Sequence, residues 1–261
     1  MGNTLGGSTF IYRGVELDYC FEETIKCLQG LCDEVVVCVV ESNDGTVEKV
    51  LALQDGKTQI IICNIDEWNE QKGREKLAYF QNKAINFLTT DYNILLQADE
   101  IIHEDCFNAI RQAIETNVEA FYVTRIHLWG SSKTQLNVPI ERMPCGVNII
   151  RLAKTRYRSI DDGESLLAPA IPNFVNEIRM YHMGFVRDRN KHIEKIKHIQ
   201  DDIFLIDHDK RIDTMQNGFD PYVMFSKDDL IPIREELPIF IKEWANERDE
   251  INKKAPKGFG L

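Results

Sequence analysis

The sequence lacks any apolar run near the roughly 18 residues that a membrane span needs, and its first residues lack the charged and apolar stretches of a secretory leader. Met1-Gly2 opens as an acylation signal does, but Gly6 stands where such a signal wants Ser or Thr. A soluble, cytoplasmic protein is expected. Paired CxxC cysteines are missing too. The seven cysteines stand singly at 20, 27, 32, 38, 63, 106 and 145, several inside apolar segments, which predicts reduced core thiols and neither a disulfide frame nor a zinc site. Positive charge is in deficit, with 31 Lys and Arg against 42 Asp and Glu. The net charge of -11 disfavours broad adhesion to nucleic acid or anionic membrane and leaves room for a local basic pocket for a phosphorylated ligand. Internal repeats, heptads and low-complexity tracts are absent. What is present, 43% hydrophobic and 28% charged residues over 261 positions, suits a chain folded throughout, with a substantial core.

Apolar patterning orders the first hundred residues. Thr9 to Tyr12 is a short β-prone run, and Leu17, Phe21, Ile25 and Leu28 follow at helical spacing. Val35 to Val40 is apolar on both faces, as a central strand covered by helices on each side must be. The turn Ser42-Asn43-Asp44-Gly45 leads into a helix striped by Val47, Val50 and Leu51. Gln59 to Cys63 is a third strand, and after a polar loop Leu77, Phe80, Ala84, Phe87 and Leu88 mark a helix before the strand Asn93 to Leu96. Strands alternating with helices predict an α/β fold with a mostly parallel, right-handed central sheet flanked by helices. Ligands of such sheets gather at the carboxyl ends of strands, here Arg13, Glu41 to Asp44 and Gln97 to Glu100. The second half is less regular. It carries a predicted helix over 104–115, strands over 120–128, 147–152 and 177–182, and a helix over 189–206. Prolines 221, 232, 238 and 256 predict short pieces wrapping the domain from Asp207 onward. The expected organisation is one domain over 1–206, with halves at about 8–103 and 104–206, and an extension over 207–261 packed on it, in part helical.

The segment Gln97-Ala98-Asp99-Glu100 sets acids directly after a buried strand, at the ligand edge. Asp99 there suits a divalent cation, which takes carboxylate oxygen and neutralises charge on a phosphorylated leaving group. It equally suits a cap on the helix near Glu104. Glu41 to Thr46 offers acceptors for a base or ribose beside a helix amino terminus, or is a plain strand-to-helix turn. Arg74 and Lys76 are either diphosphate cations or part of a solvated helix face. His182, ending a strand, can complete an oxygen-rich metal site, and Arg187 can grip phosphate; His127 is placed near an acceptor or is simply packed. Asp161-Asp162-Gly163-Glu164 supplies a carboxylate to take a proton from an acceptor hydroxyl, Asp162 first and Asp161 next.

Four of these segments, in order and register over about residues 8–200, carry a resemblance: Asp33-Glu34-Val35-Val36-Val37, Ser42-Asn43-Asp44-Gly45-Thr46, Ala98-Asp99-Glu100-Ile101-Ile102-His103 and His182-Met183-Gly184-Phe185-Val186-Arg187-Asp188. They resemble the GT-A glycosyltransferases of family 2, in a bacterial and viral branch with an aDE motif and a late HxGxVRD element. The resemblance implies a Rossmann-like GT-A fold with an irregular acceptor side. It implies transfer of a sugar from a nucleoside diphosphate sugar, UDP-sugar by preference, to a glycan or other hydroxyl acceptor, with inversion by a carboxylate base. Ile11, Arg13 and Glu41 would frame the base, Asp44 would lie near the ribose, and Gln97 and Ala98 would touch the donor. Asp99 would bind Mn2+ or Mg2+ with His182 as its distant partner. The chain departs from the pattern at Gln97, where the first acid of D-x-D usually stands, and at Asp161-Asp162, where an E-D pair is usual. A sugar-nucleotide nucleotidyltransferase is the alternative enzyme, although its glycine-rich basic loop is reduced to Arg13 and Gly14 between Thr9 and Glu16. A GT-A-like binding module without activity is the non-enzymatic alternative.

Overall fold

The computed structural model describes residues 2–143, 146–169, 173–203 and 225–254. An α/β fold is built on a mixed ten-stranded sheet. Strands β1 (Leu5–Ile11), β2 (Glu34–Val40), β3 (Thr58–Cys63) and β4 (Tyr92–Leu95) are parallel, in the order β3-β2-β1-β4. Helix α1 (Phe21–Leu31) and helix α4 (Glu75–Phe87) lie on opposite faces. Val35, Val37 and Val39 share a cluster with Leu28, while Val36, Cys38 and Val40 share another with Phe80 and Ala84. A strand covered on both faces needs no polar alternation, which is why β2 is apolar from Val35 through Val40. Strand β1 starts four residues earlier than Thr9 because Gly6-Gly7 serves close packing. A Cβ on Gly7 would stand 2.9 Å from the Leu28 side chain, and one on Gly6 would stand 2.6 Å from Leu88. Leu17 precedes α1, in a tight turn closed by Leu17 N donating to Arg13 O at 2.9 Å. Helix α2 (Thr46–Ala52) follows β2, and the polar loop expected after β3 contains helix α3 (Ile65–Glu70), capped by the Asn64 side chain.

The second half adds antiparallel neighbours. Strand β5 (Glu100–Ile102) follows the Gln97 turn, and helix α5 (Phe107–Glu115) leads to β6 (Ala120–Trp129). Beyond β6 come β7 (Ser131–Leu136), β8 (Asn148–Lys154) and the small hairpin β9 (Ser159–Ile160) and β10 (Ser165–Leu166). Strand β8 joins β6 to β4, antiparallel to both. Strand β11 (Asn173–Phe185) is longer than the predicted 177–182 and pairs parallel to β6 and antiparallel to β5. Helix α6 (Arg189–His198) continues as a π-turn through Ile203, and residues 204–206 of the predicted helix lie outside the described residues. Strand β12 (Leu230–Pro232) edges the sheet, and helix α7 (Lys242–Lys254) puts Trp244 and Ala245 into the main core. Pro221, Pro256 and Cys145 fall outside the described residues; the six described cysteines are buried and none is in a disulfide. Among the described residues no helix is long and apolar enough to cross a membrane.

Candidate active site

At the carboxyl ends of β1 and β4, α3, α6, β11 and the β9–β10 loop enclose a cavity of about 410 Å³. Its centre is Asp99. The turn that presents it is closed by Glu100 N donating to Gln97 O at 3.1 Å and tied to β11 by Met183 N donating to Asp99 O at 2.8 Å. The adjacent carboxylates face different surroundings. Glu100 is fully buried between Arg125 and Arg151, at 3.0 and 2.7 Å. Asp99 accepts on Oδ2 from Arg187 Nη2 at 2.8 Å and from Lys195 Nζ at 2.9 Å. Burial alone would raise the Asp99 pKa; the charges of Lys195 and Arg187, both within hydrogen-bond distance, outweigh it and hold the carboxyl far below the usual range.

Asp99 Oδ1 looks at His182 Nε2 across 3.8 Å. Burial pushes the His182 imidazole well below its ordinary pKa, against the pull of Asp99, so its ring is neutral near pH 7. Its Nδ1 lies 3.0 Å from His127 Nδ1, an arrangement in which one ring donates and the other accepts. When His182 donates, its Nε2 keeps a lone pair toward Asp99. Gly184 keeps this space clear, for a Cβ there would lie 2.5 Å from His182 Nε2 and 3.2 Å from Asp99 Oδ2. Among the described residues no three His, Cys, Asp or Glu side chains form a closed cation cage. The residues fit one divalent ion in part: Asp99 and His182, which both line the cavity, would supply two of its roughly six ligands.

Two other groups complete the walls. On one side Tyr12 and Trp68 lie ring to ring at 4.2 Å, with His198 5.6 Å from Tyr12. Asp202 fixes this shelf, accepting from Trp68 Nε1 at 2.8 Å and from Lys76 Nζ at 2.6 Å. On the other side are Asp162 and Glu164. Arg125 holds Glu164 at 3.2 Å, whereas burial, followed by the charge of Glu164, raises the Asp162 pKa.

Of the residues singled out in the sequence, the cavity brings together Gln97, Ala98, Asp99, Asp162 and His182. Ile11 is buried in the main core. Arg13 pairs with Glu16 at 2.7 Å, and Glu41 is exposed with its backbone N–H tied to Cys63 O. Asp44 accepts from Glu16 N, Ser42 Oγ and Thr46 N, which organises the strand-to-helix turn. Arg74 is 3.7 Å from Asp161, and both are more than half exposed. Lys76 is buried against Asp202 and Trp68. His127 is buried behind His182, and Arg187 is buried where it reaches Asp99, Leu17 O and Gly184 O. Tyr12, Trp68, Lys195 and His198 were not singled out. A signal for Lys195 exists in the spacing of His192, Lys195, Ile196 and Ile199, which puts all four on one helix face.

No family model and no curated protein matches the chain. Solved structures match in part. Glucosyl-3-phosphoglycerate synthase from Mycobacterium tuberculosis in complex with Mg2+ and uridine-diphosphate aligns over 48% of this chain and 44% of its own, at 14% identity and a TM-score of 0.35. The same synthase with phosphoglyceric acid aligns over 63% of each chain, at 12% identity and a TM-score of 0.42. A structure of S. aureus TarS aligns over 58% of this chain and 47% of its own, at 15% identity and a TM-score of 0.37. The chain thus spans about half the length of the first of these.

Proposed function

We propose that the chain is a glycosyltransferase that moves a sugar from a nucleoside diphosphate sugar, a UDP-sugar by preference, to a hydroxyl of a glycan or similar acceptor. One observation carries this reading: a single cavity unites an aromatic shelf, a carboxylate–imidazole pair flanked by cations, and a carboxylate with a raised pKa. The base lies against Tyr12 and Trp68, which offer π faces held rigid by Asp202. The diphosphate faces Asp99, His182 and Lys195. A divalent ion, Mn2+ or Mg2+, supplies neutralisation of charge on the departing diphosphate when bound there. Asp162 accepts the proton of the acceptor hydroxyl as that oxygen attacks the anomeric carbon from the face opposite the diphosphate, which inverts the configuration. Gln97 hydrogen-bonds the ribose or a water at the cation. Six buried cysteines outside any disulfide fit work in a reducing compartment such as the cytoplasm.

Calorimetry tests the reading directly. UDP is expected to bind in the presence of Mn2+ and at least roughly tenfold more weakly without it. Failure of both UDP and GDP to bind with Mn2+ present would overturn the proposal. UDP bound equally well with and without Mn2+ would favour a binding module that uses only the resident cations.

His127 has a specific part in this arrangement, because the partner of one ring nitrogen sets which nitrogen is free to ligate. His127→Phe is expected to weaken Mn2+ binding by about ten- to a hundredfold, read by titration of the Mn2+ paramagnetic signal. An unchanged affinity would reduce the imidazole pair to packing.

A further inference from the structure

Asp99 carries one negative charge and already has two cations on a single oxygen. The two are not equivalent. Arg187 is buried and also donates to Leu17 O and Gly184 O, so it is part of the frame. Lys195 lines the cavity with its side chain 14% exposed, and its ammonium has the Tyr19 ring 4.8 Å away. The backbone beneath it is pinned on both sides. Asp188 caps the start of α6 and binds Asp18 through its own N–H, and Asp202 beyond its end is clasped by Trp68 and Lys76. Movement here belongs to the lysine side chain, a flexible four-carbon stem.

We propose that Lys195 is the resident counter-ion of Asp99 and is exchanged on loading: a divalent cation settling between Asp99 and His182 releases the ammonium, which passes to the diphosphate of the donor. The inference rests on the cation site of the proposed function and adds a residue to it. A divalent ion held by Asp99 and His182 would share the Asp99 carboxylate with the ammonium on Oδ2, and like charges on one carboxylate inside a cavity repel strongly. Departure of the ammonium removes its share of the repulsion, leaving that of the fixed Arg187, and the diphosphate offers it a new acceptor within the same cavity. One side chain thereby couples the two ligands, each improving the other's affinity by the same factor.

The experiment compares the full chain with Lys195→Met by titrating Mn2+ alone, followed by its paramagnetic signal, and then UDP with and without Mn2+ by calorimetry. The variant is expected to bind Mn2+ alone about tenfold more tightly than the parent, and the improvement in UDP affinity on adding Mn2+ is expected to shrink by a similar factor. A lysine that only braced the fold would not tighten metal binding when removed. Mn2+ bound equally well or more weakly by the variant, with the UDP coupling intact, overturns the exchange and leaves the cation site standing. Mn2+ bound by neither protein, even with UDP, overturns both. Lys195→Gln, which keeps a hydrogen-bond donor without the charge, repeats the comparison if Lys195→Met melts too low to measure.

Discussion

Asp99→Asn is expected to abolish Mn2+-dependent UDP binding and to lower sugar transfer by roughly a thousandfold. The substitution changes little in shape and removes the one negative charge that an ion at this centre would share with His182. Its second effect is structural. Arg187 stays buried beside an amide in place of its carboxylate, and leaving such a charge without its partner costs about 3–5 kcal/mol. The melting temperature should therefore fall along with activity. Metal titration well below the new melting point separates the two effects. Mn2+ bound with parental affinity by a folded Asp99→Asn would return Asp99 to the role of a buried ion-pair partner.

Asp162→Asn is expected to lower transfer by about a hundred- to ten-thousandfold while leaving UDP affinity unchanged, because the carboxylate acts on the acceptor and not on the donor. The pH profile gives an independent readout. Burial and the neighbouring Glu164 charge raise the Asp162 pKa, so as pH falls the carboxylate takes up its proton early and the rate drops at a higher pH than for an ordinary aspartate. Glu164→Gln removes the like charge and is expected to move the acid limb to lower pH. An acid limb that stays in place in Glu164→Gln, or a fully active Asp162→Asn, would assign the proton transfer to another group.

The parts of this architecture that local pattern dictates were legible in the sequence. Strand β2 and helices α1, α2 and α4 announce themselves because a parallel core strand is apolar on both faces and a helix packed on it carries one apolar stripe, whereas α3 is hidden in a polar segment. Gln97, Asp99 and His182 line one cavity because polar groups directly after buried strands fall at the ligand edge. The aromatic shelf was not legible. Trp68 depends on Asp202, 134 positions away, and no local spacing reports such a contact. Arg187 and Lys76 likewise meet acceptors far away in sequence, Arg187 at Asp99 and Lys76 at Asp202, which no local spacing reports. Asp161 and Asp162 are neighbours in sequence, yet the left-handed backbone at Asp161, with φ of 52°, turns one toward solvent and leaves the other in the cavity. The β9–β10 hairpin, with two residues in each strand, carries too few residues for any period to register, and β7 is polar at five of its six positions.

The pairing of β5 with β11 sets His182 opposite Glu100, one residue from Asp99. Hydrogen-bonded strands keep a spacing of about 4.8 Å, so the distance across the cation centre is inherited from a sheet ladder and not from loops. Asp162 and Glu164, in contrast, hang on the turn between two strands of two residues each. On the proposed function the donor half of the cavity is consequently stiff and the acceptor half replaceable. Exchanging residues 161–164 for another acidic turn should alter which hydroxyl is served without disturbing how the nucleotide is held.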